Sequence, residues 1–254
     1  MKKYIKQISI LKYLIIIIRT LNIKPSFYKR ITNLGSYFND LRNFRRSESN
    51  NNFIIETGDL YPRIFDKTNE TKLDPIYYIQ GCWCAKKIFD NKPAHHYDIG
   101  SQVQMVGIIS QFVPTTMIDI RPLSVDLESL SFIKGDITNL PFKNNSIKSL
   151  SSICVIEHIG LGRYGDRLDQ FGTEKSAKEL SRVLEKNGNL YISAPVDSEN
   201  RIYFNAHRAM TRHYILELFK ELNLVEEKYI YGNKIYHKYE IDKGFGTGLF
   251  HFRK

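Results

Sequence analysis

The sequence predicts an α/β protein built on a doubly wound, mostly parallel sheet. Three observations predict it. From about residue 90 onward, short runs rich in β-branched residues alternate with stretches of helical period. The run Ile153-Cys154-Val155 is apolar without alternation, as a strand covered on both faces should be. Four successive strands end in acidic residues, at Asp98, Asp119, Asp136 and Glu157.

Each element has its own justification. Ala94–Ile99 is a short strand. Gln102–Phe112 carries Val103, Val106, Ile109 and Phe112 at helical spacing, and Pro114 stops that helix. "TTMIDI", Thr115–Ile120, is β-rich and cannot run past Pro122. "LSFIKGD" gives a third strand and "SIKSLSSICVIEH" a fourth. "TEKSAKELSRVLEKNG" places Ala177, Leu180, Val183 and Leu184 on one helical face and closes at Asn187-Gly188. "NLYISAP" is a fifth strand, ended by Pro195. Thr211 caps the helix "RHYILELFKEL". "LVEEKYIYG" and "GLFHFRK" complete a sheet of seven strands.

The 254 residues divide into a basic N-terminal arm and connector, 1–75, and a regular domain, 76–254. Residues 33–75 are polar and Asn-rich, with turn signals at Gly58, Pro62 and Pro75, and read as an irregular connector or lid. The net charge of +10 is concentrated in residues 1–50, which hold 11 Lys or Arg and 2 Asp or Glu. The body is almost neutral, which argues against a nucleic-acid groove there. In the arm, the apolar run Leu14–Ile18 is bounded by Lys12 and Arg19, with Lys6 upstream. That is too short and too charged for a membrane span, which needs about 20 predominantly apolar residues. It suits a helix packed on the body or on a second copy of the chain, or a basic amphipathic helix on an anionic membrane surface. Peripheral membrane contact through residues 1–50 and homo-oligomerisation are both expectations of this arm. Cys82, Cys84 and Cys154 form neither a metal-ligand pattern nor a disulfide framework. No small-residue cleavage site follows "LIIIIRT". The expected location is therefore the cytoplasm, at or near the inner face of the membrane.

In a doubly wound sheet, ligands sit beyond the carboxyl ends of the strands, at the point where strand order reverses. Gly100 lets a ligand approach the backbone closely. Asp119, 21 residues after Asp98, suits a carboxylate accepting from both hydroxyls of a ribose. Asp136 follows Gly135 and can accept from an exocyclic adenine amine. A pyrophosphate would require more glycines and bare amides where this chain has Ser101-Gln102-Val103-Gln104. The pattern predicts a cationic, adenosine-like ligand without phosphates.

The succession "YDIGS", "MIDIRP", "IKGDITNLPFKNNSIKSLSSICVIEHIG" and "ELSRVLEKNGNLYISAPV" resembles the class I S-adenosylmethionine-dependent methyltransferases. "EHIGLGRYGD", "FNAHR" and "GTGLFHFRK" look more narrowly like a methyltransferase-like family first collected from nematode sequences. The resemblance implies a Rossmann-like methyltransferase fold with an antiparallel C-terminal edge strand. It implies S-adenosylmethionine as cofactor and O-methylation of a sugar, glycan or other small molecule, as in polysaccharide biosynthesis. It assigns Asp98, Gly100 and Ser101 to the methionine moiety, Asp119 with Ile120 and Arg121 to the ribose and adenine face, Asp136 and Ile137 to the adenine edge, and Val155 and Glu157 to the floor near the sulfonium. No metal is implied. His158 is the candidate general base and Glu157 the second candidate. Arg163, Tyr164 and Asp166 are either acceptor contacts or a self-bonded loop. Asn205, His207 and Arg208 are either acceptor contacts or a salt-bridged surface loop.

Overall fold

A computed structural model describes residues 27–47, 52–53 and 55–254. The run Leu14–Ile18 with Lys6, Lys12 and Arg19, on which the membrane expectation rests, lies outside the described residues. Among the described residues no helix is long and apolar enough to cross a membrane. The chain forms two compact units, Met1–Lys72 and Leu73–Lys254.

In the N-terminal unit, helix α1 spans Phe27–Arg46, with Arg45 and Arg46 in its last turn where the helix dipole favours cations. The sequence reading makes residues 33–75 irregular, and for 33–46 the structure overturns it. Ile31, Leu34 and Phe38 of α1 are exposed, so the helix has no buried apolar stripe for periodicity to reveal. Beyond α1 the chain is irregular and held by contacts such as Asn33 Nδ2 to the Ile64 carbonyl, 2.8 Å.

The second unit opens with helix α2, Pro75–Asn91. Asp74 caps it by accepting from the Ile76 and Tyr77 amides, and Pro75 occupies the first turn, where a missing N–H costs nothing. The sequence reading misses this helix because Pro75 resembles a turn signal. The strands that follow are β1 (His96–Ile99), β2 (Thr115–Asp119), β3 (Leu130–Lys134), β4 (Ile147–Ile153) and β5 (Leu184–Val196). Helix α3, Val103–Ser110, joins β1 to β2, and α4, Gly172–Val183, joins β4 to β5. A separate hairpin pairs β6 (Arg201–Tyr203) with β7 (His207–Ala209). Helix α5, Arg212–Leu218, is capped by Thr211 as expected. Strands β8 (Asn223–Tyr231), β9 (Lys234–Tyr236) and β10 (Gly246–Arg253) finish the chain.

The main sheet has eight strands in the order β3-β2-β1-β4-β5-β10-β8-β9, with β1 to β5 parallel. The additional strand is β9, three residues long and turned back from β8 at Gly232, whose φ is 63°. The C-terminal strand β10 is antiparallel, as expected, but it lies between β5 and β8, and β9 forms the edge. Two apolar layers cover the sheet. Trp83 and Ile88 of α2 and Val106 and Ile109 of α3 pack on one face, with Tyr191 and Leu249. Leu180 of α4 and Ile215 of α5 pack on the other, with Leu190 and Phe250. Alternate residues of β5 thus serve opposite layers, the period-2 arrangement of a fully covered strand.

Two boundaries differ from the sequence reading. β4 stops at Ile153, because Cys154 turns the chain with φ 53°. α4 stops at Val183 rather than at Asn187-Gly188, and Leu184 enters β5 directly. Asn187, with φ 62°, and Gly188 form a bulge that exchanges backbone hydrogen bonds with Lys254. Chain order reverses at β1, which lies between β2 and β4, so the carboxyl ends of these strands open a crevice.

Candidate functional site

The crevice holds a cavity of about 360 Å³, with Gly100, Asp119, Asp136 and Val155 in its wall. These residues close β1, β2, β3 and β4 or follow them closely, so two of the four acidic strand ends, Asp119 and Asp136, line the cavity. Gly100 has φ 69°, and a Cβ there would lie 3.1 Å from Val155 Cγ1. The conformation favours glycine, and a Cβ would fit only if the Val155 side chain gave by a few tenths of an ångström. At Gly135 a Cβ would meet Ile118 Cγ2 at 2.7 Å, which lets the chain before Asp136 lie tight against β2.

Two amides of the loop between β1 and α3 are engaged. The Gly100 N–H donates to the Ile118 carbonyl at 2.8 Å, and the Ser101 N–H to Asp98 Oδ1 at 3.0 Å. Asp98 is fully buried, away from the cavity wall, and Ser151 Oγ donates to its Oδ2 at 2.5 Å. The register pairing Asp98 with Ser151 on adjacent parallel strands makes that contact. Burial pushes the Asp98 carboxyl up to about 6. This corrects the direct methionine contact expected of Asp98: its oxygens hold the loop that carries Gly100 and Ser101. Ser101 stays in the wall, with Oγ accepting from the Ile153 N–H at 2.9 Å. The buried chain continues to His96, whose Nε2 is 2.9 Å from Ser151 Oγ and Nδ1 2.8 Å from Ser149 Oγ. Desolvation, with a smaller effect of His95, lowers His96 to about 3.

Asp119, Ile120 and Arg121 line the cavity together. Arg121 is bidentate on Asp119, Nε to Oδ1 at 3.1 Å and Nη2 to Oδ2 at 3.1 Å, and its backbone N–H also donates to Oδ1, at 2.8 Å. Asp136 Oδ1 accepts from the N–H and hydroxyl of Thr138, both at 2.8 Å, and Ile137 is buried beside it in the wall.

His158 lines the cavity and is nearly buried. Its Nδ1 lies 2.6 Å from the Ala206 carbonyl and 3.4 Å from Arg163 Nη1; the much shorter contact to the carbonyl assigns the proton to Nδ1 and the lone pair to Nε2. Desolvation is the largest cause lowering this imidazole to about 4, which leaves it neutral at pH 7. Glu157 is fully buried and outside the cavity wall, with Oε1 3.7 Å from His158 Nε2 and Oε2 without a partner. Burial pushes its carboxyl up to about 8. At pH 7 the two groups are a neutral acid beside a neutral base, not an ion pair. The floor expected at Val155 and Glu157 is thus formed by Val155 alone.

The loop after β4 is self-bonded. Asp166 Oδ2 accepts from the Gly160 and Gly162 amides at 2.7 and 3.2 Å, and Oδ1 from the Tyr164 amide at 3.2 Å. The bonding sets Tyr164 in the cavity wall, with Arg121 over its ring at 4.6 Å, Arg163 at 5.0 Å and His158 edge-on at 5.5 Å. Arg163 itself lies outside the wall and donates from Nη1 to the Ala206 carbonyl at 3.0 Å.

Asn205, His207 and Arg208 do not line the cavity. His207 packs against Tyr203 and Phe245. Arg208 is buried and spends its guanidinium on the carbonyls of Ile159, Asp169 and Gln170. It is neither a ligand contact nor a salt-bridged surface group. Sequence reasoning missed Tyr77, which reaches the cavity from α2. The signal that would have found it is Asp74-Pro75, a helix start rather than a turn. Among the described residues no three His, Cys, Asp or Glu side chains gather as a metal site.

A family model described as "Caenorhabditis protein of unknown function, DUF268" matches residues 136–233. No curated protein matches the sequence. Among solved structures, the N-methyltransferase NodS from Bradyrhizobium japonicum WM9, in complex with S-adenosyl-L-homocysteine, is similar at a TM-score of 0.52 and 12% identity, over 71% of this chain and 88% of its own. The [4+2]-cyclase SpnF is similar at 0.52 and 12% identity, over 70% of this chain and 81% of its own. These identities speak to the fold, and the fold is that of the class I S-adenosylmethionine-dependent methyltransferases.

Proposed function

We propose that this protein is an S-adenosylmethionine-dependent methyltransferase acting on an oxygen of a sugar, glycan or other small molecule. One observation carries the reading. Asp119 and Asp136 face a single cavity beside Gly100, and the Gly100 and Ser101 amides of the loop before α3 are already engaged. A cationic adenosyl ligand without phosphates fits that wall better than a dinucleotide does. Asp119 would take the ribose hydroxyls, Ile120 and Ile137 the adenine faces, and Asp136 the adenine edge. Gly100, Ser101 and Val155 would border the methionine end.

The bound cofactor supplies a methyl group already activated by its sulfonium. The protein's work is alignment, exclusion of water and removal of one proton. An acceptor hydroxyl must lose that proton as it attacks. His158 Nε2 is the group to take it, since Nδ1–H is committed to the Ala206 carbonyl. Glu157, protonated at pH 7, cannot serve as the base in that state and keeps the surroundings uncharged. The base therefore falls to His158.

Calorimetry with S-adenosylhomocysteine tests the reading. Binding that is lost in Asp119→Asn supports it, and no binding by the wild-type chain overturns it. His158→Ala should reduce turnover strongly and leave that binding nearly unchanged. A second reading is favoured by Ser101-Gln102-Val103-Gln104 in place of the glycine loop: a methyltransferase-shaped module that binds without catalysis. The fold alone does not decide, since SpnF carries it as a cyclase. Binding of S-adenosylhomocysteine with no labelled methyl transfer to any acceptor fraction would favour this module.

A further inference from the structure

We infer that the acceptor carries an oxyanion, a carboxylate or a phosphate ester, which binds beside Tyr164 within reach of the Arg163 and Arg121 guanidinium groups while its hydroxyl faces His158. This rests on the methyltransferase reading and names the acceptor class for that site. Tyr164 lies in the cavity wall, edge-on to the His158 ring at 5.5 Å. Two guanidinium groups lie over it, Arg121 at 4.6 Å and Arg163 at 5.0 Å. Two guanidinium groups held over one ring next to the candidate base offer N–H donors and positive charge to a carboxylate or phosphate.

The local charges support the same conclusion. Among the described residues Arg163 forms no ion pair; its Nη1 donates to the Ala206 carbonyl at 3.0 Å and lies 3.4 Å from His158 Nδ1. The nearby carboxylates do not serve it. Both oxygens of Asp166 are taken by the amides of Gly160, Gly162 and Tyr164. Glu157 is uncharged at pH 7, because burial holds its carboxyl near 8. Arg121 is neutralised by Asp119, and ribose hydroxyls need those same carboxylate oxygens. Cofactor binding would therefore release a second cation beside Tyr164. The mouth gains positive charge when the acceptor is due to enter, so cofactor first and anionic acceptor second is the expected order.

Ligand-observed NMR tests this with three matched sugars, D-glucose, D-glucuronate and D-glucose 6-phosphate, each added to the chain saturated with S-adenosylhomocysteine. The two charged sugars should bind and D-glucose should not. The two anions distinguish carboxylate from phosphate. Arg163→Gln should weaken charged-sugar binding roughly ten-fold or more, the loss expected for a charged hydrogen bond. Arg163→Lys, which keeps the charge, should restore part of it and shows that the position tolerates substitution. Equal binding of all three sugars, no binding of either anion, or anion binding indifferent to Arg163→Gln overturns the inference. Failure of S-adenosylhomocysteine to bind is a separate result and overturns the methyltransferase reading instead.

Discussion

The guanidinium of Arg121 covers the carboxylate of Asp119 with two parallel hydrogen bonds of 3.1 Å, and both groups line the same cavity. The residues are two apart, so the pair forms at the end of β2 with no distant element needed to align it. The carboxylate it covers is the one proposed to bind ribose. Bidentate pairing is the strongest geometry an arginine has, and a ligand must break it or share it.

Removing the cover should therefore help the ligand. Arg121→Gln is expected to tighten S-adenosylhomocysteine several-fold, roughly the value of one partly exposed ion pair. Asp119→Asn should weaken it by roughly ten-fold or more. Isothermal calorimetry on both variants checks this. Weaker binding in Arg121→Gln would mean that the arginine holds the ligand rather than competing with it.

Gly100→Ala introduces two separate faults. The backbone has φ 69°, and an added Cβ would sit 3.1 Å from Val155 Cγ1. The left-handed conformation alone costs a non-glycine residue about 1–2 kcal/mol. Thermal unfolding should show at least that loss. In the double variant with Val155→Ala the steric part should be relieved and the conformational part kept, so stability should recover partly. Full recovery would locate the whole effect in the side-chain contact.

Much of this site is legible in sequence because strand ends are legible. Apolar runs closing on Asp98, Asp119 and Asp136 give both the strands and the edge where they end. What side chains do at that edge is not written in spacing. Asp98 is pulled beneath the loop by Ser151, which is 53 residues away and adjacent only in the folded sheet. Asn205, His207 and Arg208 follow β5 in the chain, and order alone places them at the ligand edge. The β6–β7 hairpin instead turns the Arg208 side chain onto the carbonyls behind the His158 loop. Strand β9 is too short to show a period, and α2 is hidden by a proline that serves as its first turn.

Glu157 gives the site a pH signature. Its folded value is about 8, above the 4.5 of an ordinary glutamate, so the native state holds a proton that the unfolded chain releases. Stability should fall as pH rises from about 4.5 to about 8 and level off above that. Glu157→Gln removes the penalty. Its melting temperature should exceed the wild type's at pH 8 and match it near pH 4. His158 acts in the opposite direction. Its folded value is about 4, so its contribution is lost as pH falls from about 6.5 to about 4. A melting difference that does not vary with pH would remove Glu157 from this account.

Arg208 connects the hairpin to the candidate base. Its backbone N–H donates to the Glu157 carbonyl at 2.9 Å, and its Nη1 donates to the Ile159 carbonyl at 2.6 Å, so it bonds on both sides of His158. Two residues earlier in the hairpin, Ala206 supplies the carbonyl that fixes the His158 tautomer. Arg208 is therefore a positioning residue: it never meets the ligand, yet it holds the acceptor of the Nδ1 proton in place. Arg208→Lys keeps the charge but cannot reach three carbonyls at once. It should lower kcat by roughly ten-fold or more with little change in S-adenosylhomocysteine affinity, since the tautomer loses its anchor while the cofactor wall stays intact. The imidazole should also titrate differently, which proton NMR of His158 can follow. If Arg208→Lys melts earlier but keeps the wild-type kcat at temperatures where both are folded, the residue supports the fold alone and the Ala206 carbonyl needs no help from it.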